Sequence, residues 1–221
     1  MLASRQRIMI KAIIFDFDGV LVESVDIKTK AFAKLFETEG EEVVGKIVDY
    51  HLRHTGVSRF EKFEHFYSNI LNRPLNEETL KNLCKRFSEL VVDEVVNAPF
   101  VNGALELLEN QSKLFKCFIA SATPQDELEE IVRHRDISNH FIRIYGSPKK
   151  KTDIVRDILS IHKLLPDDVA YIGDAMSDYE AARANSAIFI ARINDNESIF
   201  DNMDCLKVKD LVNLKAILDT L

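Results

Sequence analysis

The sequence of 221 residues contains no tryptophan, only three cysteines, and few residues of the kinds that dominate flexible chains, with 7 Gly and 5 Pro. The low Gly and Pro content, without any short repeat, excludes collagen-like and linker-like sequences. Cys84, Cys117 and Cys205 form no CxxC pair and leave one thiol over in any pairing scheme. A disulfide framework is therefore not expected, and a reducing compartment suits the chain.

Long apolar runs are also missing. No stretch approaches the ~18 apolar residues that a membrane span requires. The amino-terminal segment resembles a signal peptide because basic residues precede apolar ones, but Lys11 interrupts the apolar run and Asp16 and Asp18 end it. We therefore predict a cytoplasmic protein without a membrane partner.

Positive charge is in short supply, since 29 Lys and Arg face 36 Asp and Glu and the net charge is −7. A nucleic-acid partner is not expected, because a polyanion would be repelled unless basic residues formed a dense stripe. A small anionic substrate remains possible where a metal ion or local positive charge holds it. With 46% apolar residues, the chain can build one sizeable core, or one core with a small inserted domain.

Short apolar runs recur along the chain and are separated by predicted helices. They span 8–17, 115–120, 142–145, 169–172 and 187–191. Continuous apolar character over so few residues is typical of strands that are buried on both faces of a parallel sheet. The alternation of strands and helices predicts an α/β fold with a doubly wound parallel-sheet core of the Rossmann-like type.

The interval from about 22 to 96 contains no strand-like run. Four helices are predicted there, near 26–39, near 43–54, from a capping box of Ser58 and Glu61, and from about Asn76. We therefore predict an α-helical cap domain over 22–96, inserted into a catalytic core formed by 1–21 and 97–221.

Polar residues follow the first two runs, at the carboxyl ends of strands where ligands bind in open α/β sheets. Asp16 and Asp18 face the same way, because side chains alternate along a strand. Two adjacent carboxylates repel unless a cation or a shared proton intervenes, and a turn would explain only one of them. Ser121 follows the second run, where a hydroxyl beside helix N–H groups can bind an anion. Thr123 and Pro124 predict a helix start.

Two further strand ends add charged residues. Ser147 and Pro148 predict a second helix start, which places the lysines of 149–151 in a first helical turn. The helix dipole disfavours cations there, which favours an anion-binding role for one of them. Asp174 follows the fourth run, and Asp178 lies four residues later. Oxygen ligands without His or Cys suit Mg²⁺, which binds through one or two carboxylates plus a phosphate.

This set of residues suits phosphoryl transfer. A carboxylate can attack phosphorus and form an acyl phosphate that water then hydrolyses. Because an anion attacks an anion, positive charge from Mg²⁺ and a lysine is needed. A second carboxyl group can protonate the leaving group and later deprotonate the water. Asp16 and Asp18 could divide these two tasks.

The segments DFDGV at 16–20 and GDAMSD at 173–178, with Ser121 and Lys151 between them, resemble the four signature motifs of the haloacid dehalogenase superfamily. The helical insert resembles the cap of the phosphoglycolate phosphatase and β-phosphoglucomutase branch. The second acid, Asp18, separates the chain from the dehalogenase members, which lack an acid there.

The resemblance implies a role for each site residue. Asp16 would be the nucleophile and Asp18 the general acid and base. Asp16, the main-chain carbonyl of Asp18 and Asp174 would hold Mg²⁺, with Asp178 in support. Lys151 would neutralise Asp16 and the phosphate. The phosphoryl group would be bound by Ser121, together with Ala122 and Gly19.

The third motif departs from the common pattern, because GSPKKKT has no proline directly after the lysine. It resembles a GSPxxK variant, which selects Lys151 and leaves Lys150 as the alternative. The segment HTGVSR at 54–59 resembles the cap loop that reaches into the active site, so Arg59 is predicted to contact the substrate. A solvated arginine in a first helical turn is the alternative. His51 and His54 have no third metal ligand, and an ordinary helix surface is predicted for them.

The leading hypothesis is a Mg²⁺-dependent phosphatase that hydrolyses a small phosphorylated metabolite through an aspartyl-phosphate. A phosphomutase that uses the same core is the alternative enzyme. A non-catalytic protein that binds a phosphorylated metabolite is the third hypothesis, and it predicts the loss of at least one charged catalytic group, which the sequence does not show. The oligomeric state is not predicted.

Overall fold

A six-stranded sheet in which all neighbouring strands are parallel forms the centre of the computed structural model, which describes residues 9–194 and 199–221. Its strands are β1 (Ala12–Phe15), β2 (Lys116–Pro124), β3 (Arg143–Ser147), β4 (Val169–Gly173), β5 (Ile188–Arg192) and β6 (Leu206–Val208). They are ordered β3-β2-β1-β4-β5-β6. The predicted α/β fold with a doubly wound parallel sheet is confirmed, and β1 lies at its centre.

The strands differ from the predicted runs mainly at their ends. Residue 8, where the first run was expected to begin, lies outside the described residues, and β1 ends at Phe15, two residues before the expected end of that run. Ile142 precedes β3 and is 58% exposed, so it does not belong to the buried run. The edge strand β6 was not predicted, because it has only three residues and two of them are exposed.

Helices cover the sheet on both faces. They are α1 (Val25–Leu35), α2 (Glu41–Arg53), α3 (Arg59–His65), α4 (Glu77–Asn97), α5 (Ala104–Gln111), α6 (Gln125–His134), α7 (Lys151–His162), α8 (Met176–Ala184) and α9 (Leu214–Leu218). Side chains of β1 alternate between the two layers: Ile13 and Phe15 pack in the core that includes α5, α6 and α9, and Ala12 and Ile14 pack against α7 and α8. None of the helices in the described ranges is long and apolar enough to cross a membrane.

The segment 25–97 contains only helical elements, α1 to α4 with a short 3-10 turn at Glu37–Glu39 and a π-helical turn at Phe66–Ile70. The Ser58 side chain accepts a hydrogen bond from the Glu61 amide at the start of α3, as predicted, although the Glu61 carboxylate accepts from the Ser58 hydroxyl rather than from its amide. Sequence patterning thus located all four helices.

Phenylalanines hold these helices together. Phe32 of α1 lies with its ring centroid 4.4 Å from that of Phe87 of α4, and it meets Phe63 and Phe66 edge-on at 5.7 and 5.5 Å. All four side chains are fully buried. Aromatic packing of this geometry stabilises the segment beyond the area that it buries. This packing fixes the positions of α1, α2 and α3, and with them the side chains that these helices direct towards the ends of the strands.

Two predicted helix starts are wrong. Thr123 and Pro124 belong to β2, and α6 begins at Gln125, because the Thr123 hydroxyl bonds to Asp18 instead of capping a helix. Ser147 and Pro148 do not start α7, which begins at Lys151. Lys149 and Lys150 therefore precede the helix, and the argument that the helix dipole disfavours a cation in the first turn does not apply to them.

Candidate active site

Residues from four strand ends converge at the carboxyl edge of the sheet. Asp16 follows β1, Ser121 lies in β2, Lys151 opens α7 after β3, and Asp174 follows β4. Because β2, β1 and β4 are neighbours in the sheet, their carboxyl ends carry these groups to one place. The structure thus brings together the residues that the four motifs had selected.

Lys151 bridges two carboxylates beneath this edge. Its Nζ lies 2.8 Å from Asp16 Oδ2 and 2.7 Å from Asp178 Oδ1, and the residue is 7% exposed, whereas Lys150 is exposed. Burial disfavours the charged ammonium, but the two carboxylates outweigh it and raise the pKa of Lys151 above its ordinary value. Of the two lysines that the sequence left open, Lys151 is therefore the one beside Asp16.

Asp178 is fully occupied by protein partners. Besides Lys151, the Tyr171 hydroxyl donates to its Oδ1 at 2.7 Å and the Ala175 amide donates to its Oδ2 at 3.1 Å. Asp178 is completely buried. With both oxygens bonded, it is suited to orient Lys151, and its predicted support of a Mg²⁺ ion stays a prediction. Tyr171 was not predicted, because an apolar strand run gives no signal for a buried hydroxyl.

The carboxylates at this edge have too few basic partners to neutralise their charge. One oxygen each from Asp16, Asp174 and Asp178 lies within 4.8 Å of the others. Burial, only partly opposed by Lys151, raises the pKa of Asp16 to about 7. Burial and the charges of Asp16 and Asp178 raise the pKa of Asp174 well above its ordinary value. Oxygen donors that repel one another are suited to a hard divalent cation, which would restore their ionised forms.

Gly19 allows the loop after β1 to lie against Asp174. Its φ is +76°, in the region that favours glycine, and a Cβ added there would lie 2.2 Å from Asp174 Oδ2. Its carbonyl accepts a hydrogen bond from Arg192 Nη1 at 3.0 Å. Gly19 was predicted to bind phosphate, and the structure places it beside the carboxylate cluster.

Asp18 is held by a set of donors, most of which the sequence did not indicate. Lys28 Nζ forms an ion pair with Asp18 Oδ2, the Ser24 hydroxyl donates to Oδ1 at 2.6 Å, and the Thr123 hydroxyl donates to Oδ2 at 2.9 Å. Burial raises the pKa of Asp18, but Lys28 and the hydroxyl donors outweigh it and lower that pKa to about 2. Lys28 lies in the first turn of α1, where the helix dipole disfavours a cation, and that signal could have identified it.

A cavity separates the strand ends from the helical segment. It encloses about 510 Å³ of space free of protein atoms, its open mouth included. One side, which we call the strand-end wall, is formed by Asp16, Asp18, Ser121, Ala122 and Asp174. The opposite side, the helical wall, is formed by Lys28, Phe32, His51, Arg59, Lys62 and Phe87. Ser121 is 1% exposed, and its Oγ lies 3.5 Å from Asp18 Oδ2.

Arg59 reaches the helical wall, but its charge is already paired. The Arg59 guanidinium makes a two-armed contact with Glu127 of α6, with one Nη1–Oε2 distance of 2.9 Å, and donates to the Ser88 hydroxyl at 2.8 Å. It also lies over the Phe87 ring, 4.5 Å from its centroid. The alternative of a solvated arginine is wrong, since Arg59 is 5% exposed. Contact with the substrate stays a prediction.

The prediction of an ordinary helix surface is correct for His54, which is exposed, and wrong for His51, which is 2% exposed. The ring of His51 packs against Phe32, with centroids 4.9 Å apart, because this face of α2 meets α1. Its Nδ1 lies 2.8 Å from Nζ of Lys62, a residue that the sequence did not single out. Burial, with the charges of Lys62 and Lys28, lowers the pKa of His51 to about 3, so this ring is neutral.

Comparison with known proteins agrees with this geometry. The family of haloacid dehalogenase-like hydrolases matches residues 13–191. A curated protein of Thermotoga maritima, named phosphorylated carbohydrates phosphatase, is 31% identical over 188 residues, which cover 79% of this chain and 81% of that protein. The chain therefore belongs to the haloacid dehalogenase-like hydrolase family, and the predictions of this superfamily and of a hydrolytic enzyme are confirmed.

Solved structures share the fold. A β-phosphoglucomutase from Clostridium difficile superposes with a TM-score of 0.77 at 22% identity, covering 96% of this chain and 97% of that chain. A predicted phosphoglycolate phosphatase from Haemophilus somnus superposes with a TM-score of 0.76 at 16% identity, covering 94% and 97%. At these identities the likeness concerns the fold and not the substrate.

Proposed function

We propose that the protein is a Mg²⁺-dependent phosphatase that hydrolyses a small phosphate monoester through a phosphorylated Asp16. The observation that carries this proposal is the placement of Asp16 between Lys151 and Asp174, with Ser121 on the same wall of the cavity. The name of the Thermotoga maritima relative supports a phosphorylated carbohydrate as the substrate.

Asp16 is the group that attacks phosphorus. One of its oxygens forms a bond to the phosphorus atom while the bond from phosphorus to the substrate's ester oxygen breaks. Burial raises the pKa of Asp16 to about 7, so the nucleophile depends on nearby cations to stay ionised. Lys151 supplies one of them at 2.8 Å.

The residues present fit a magnesium ion. Asp16 and Asp174 would hold it, with the main-chain carbonyl of Asp18 as a third donor and with Asp178 in support through Lys151. When bound, Mg²⁺ would offset the negative charge that gathers as the carboxylate and the phosphate approach each other.

Asp18 moves the proton. In the first half of the reaction its protonated form gives a proton to the leaving alkoxide. In the second half its carboxylate takes a proton from the water that attacks phosphorus, and the bond from phosphorus to Asp16 breaks. Contacts with Lys28 and Thr123 hold Asp18 in the carboxylate form that the second half needs. For the first half, the contact with Lys28 must loosen so that Asp18 can carry a proton.

The phosphoryl group would be bound by Ser121 and Lys151, with Ala122 beside them. Ser121 and Ala122 line both the main cavity and a neighbouring one that Lys151 also lines. We propose that residues 22–96 form a cap domain over a core of 1–21 and 97–221. The helical wall supports this division, because it closes the cavity above the strand ends.

A panel of phosphate monoesters, assayed for phosphate release with and without Mg²⁺, tests the proposal. We expect release only with Mg²⁺, and we expect Asp16→Asn to lower kcat at least about 1,000-fold, as removal of a nucleophile does. Asp49→Asn, a change of the same kind at an exposed position on α2, is the matched control and should leave kcat unchanged.

Three outcomes would contradict the proposal. Activity that survives in Asp16→Asn excludes the covalent route. Isomerisation of a sugar phosphate after priming with a bisphosphate, without net phosphate release, identifies a phosphomutase. No release from any ester of the panel favours a protein that only binds such metabolites.

A further inference from the structure

Three of the side chains that form the helical wall are basic, and only two of them are paired with a carboxylate. Lys28 is paired with Asp18, and Arg59 is paired with Glu127. For Lys62, the described residues offer no carboxylate within ion-pair distance; its Nζ contacts only an imidazole nitrogen and a main-chain carbonyl. When Lys62 is protonated, the helical wall therefore carries one positive charge without a counter-ion.

The contacts of Lys62 hold its ammonium in a fixed position. Its Nζ donates to His51 Nδ1 at 2.8 Å and to the Thr55 carbonyl at 3.3 Å, and it lies 5.6 Å from the centroid of the Phe32 ring. Because an ammonium has three N–H donors, one remains for a ligand. A neutral His51 accepts from Lys62 without cancelling its charge.

The burial of Lys62 points to a ligand of opposite charge. The residue is 2% exposed, and a buried ammonium without a counter-ion opposes folding. An anion that enters the cavity would offset that cost. Lys62 lines the same cavity as Asp16 and Ser121, so a ligand whose phosphate lies at the strand-end wall can present its other end to Lys62.

We propose that Lys62, oriented by His51, binds a second negatively charged group of the substrate, a carboxylate or a second phosphate. The preferred substrates would then be phosphate monoesters with an additional anionic group. This inference rests on the proposed phosphatase activity and adds to it the class of substrate. Lys62 takes no part in making or breaking bonds, and it determines specificity.

The test compares matched substrates. Three short alkyl phosphates would share one chain and end in a carboxylate, in the corresponding carboxamide, or in a second phosphate. We expect kcat/KM for one of the two anionic esters to exceed that for the carboxamide by about 10- to 100-fold, mainly through KM. Which of the two is preferred identifies the anion.

Variants then assign the preference to Lys62. Lys62→Met should reduce the ratio of anionic to carboxamide kcat/KM to about 1, and Lys62→Arg should retain a preference for the anionic ester. Lys46→Met, an equal change of charge at an exposed position on α2, should leave the ratio as in the wild type. Circular dichroism and thermal unfolding check that each variant is folded.

The outcomes separate the two proposals. Equal hydrolysis of all three esters by the wild type overturns the inference and leaves the phosphatase intact, and this comparison needs no variant to fold. A folded Lys62→Met that loses activity on all three esters by the same factor also overturns the inference. No hydrolysis of these esters or of p-nitrophenyl phosphate removes the proposed function, and the inference with it.

Discussion

The two walls of the cavity have opposite imbalances of charge. Behind the strand-end wall, Lys151 is the one lysine among the described residues beside the cluster of Asp16, Asp174 and Asp178, and two of these carboxylates, Asp16 and Asp174, belong to the wall itself. On the helical wall, three basic side chains share two carboxylates, one of which comes from the strand-end wall itself. Buried charge without a partner is costly, so a ligand of opposite sign would stabilise each wall. A metal ion at the strand-end wall and a doubly anionic substrate at the helical wall, as we propose, would supply both opposite charges.

The largest effect is expected from a variant that increases the unpaired positive charge of the helical wall. Glu127→Gln leaves the Arg59 guanidinium buried without its counter-ion and should lower the free energy of unfolding by about 3–5 kcal/mol. Urea unfolding at neutral pH measures this change. Glu130→Gln, at an exposed position of the same helix, is the control and should change stability little. Equal, small effects of both variants would show that the buried pair contributes nothing specific.

Removing negative charge from the strand-end wall should weaken metal binding. Asp174→Asn removes one carboxylate, and the Mg²⁺ concentration for half-maximal activity should rise by about 10- to 100-fold. The increase in Tm that Mg²⁺ gives the wild type should be lost in the variant, which tests binding without an activity assay. An unchanged Mg²⁺ dependence in both measurements would place the ion elsewhere.

Removing the unpaired charge of the helical wall should stabilise the protein in a pH-dependent manner. Burial, with the charge of Lys28, lowers the pKa of Lys62 from 10.5 to about 7, while Asp18 and Asp174 oppose this shift and His51 is neutral. Below pH 7 both folded and unfolded chains hold the proton, so the full cost of burial applies. Between pH 7 and 10.5 the unfolded chain binds more protons, so the stability contributed by this site rises with pH.

Lys62→Met should therefore be more stable than the wild type by about 2 kcal/mol at pH 6, and this advantage should shrink by pH 9. Urea unfolding of both proteins at the two pH values measures the difference, and the exposed Lys46→Met corrects for general effects of net charge. An advantage that is the same at both pH values would show that Lys62 does not titrate in the folded protein.

The smallest effect on activity is expected where the loop before α3 lies against the start of α8. A Cβ on Gly56 would lie 2.2 Å from Ser177 Oγ and 2.7 Å from Ala175 Cβ, so Gly56→Ala should displace the loop before α3 and lower kcat/KM by about tenfold. Gly45→Ala, in the open interior of α2, should leave activity unchanged and stabilise by about 0.5–1 kcal/mol. Wild-type kinetics in Gly56→Ala would show that this contact is not needed.

Much of the strand-end wall could be predicted from sequence, because each of its residues is close in the chain to a recognisable strand. Asp16 and Asp174 directly follow apolar runs, and a parallel sheet brings such positions together whatever the intervening segments are. The helix start at Thr123 was predicted wrongly, since local capping patterns do not show that a distant Asp18 competes for the Thr123 hydroxyl. The start at Ser147 was also predicted wrongly, since β3 extends through Ser147 and α7 begins only at Lys151.

The helical wall could not be predicted in the same way. His51 and Lys62 are ordinary members of amphipathic helices in the sequence. Arg59 was predicted to contact the substrate only through the resemblance of its loop, with a solvated residue in a first turn as the alternative. Their burial depends on the Phe32 cluster and on Glu127 of α6, which is 68 residues from Arg59 in the chain. Patterns of period 3.6 identify the face of a helix but not the partner that covers it.

The sequence by itself determined the doubly wound sheet, the helical insertion and the acids at the strand ends, because these follow from local hydrophobic periodicity and from the geometry of parallel strands. Only the tertiary structure decided which charges are paired. Pairing depends on distances of a few ångströms between side chains far apart in the chain, and burial sets how much each unpaired charge costs. That is why Asp16 could be selected from the sequence as a candidate nucleophile, whereas the place of Lys62 in the cavity wall could not be predicted.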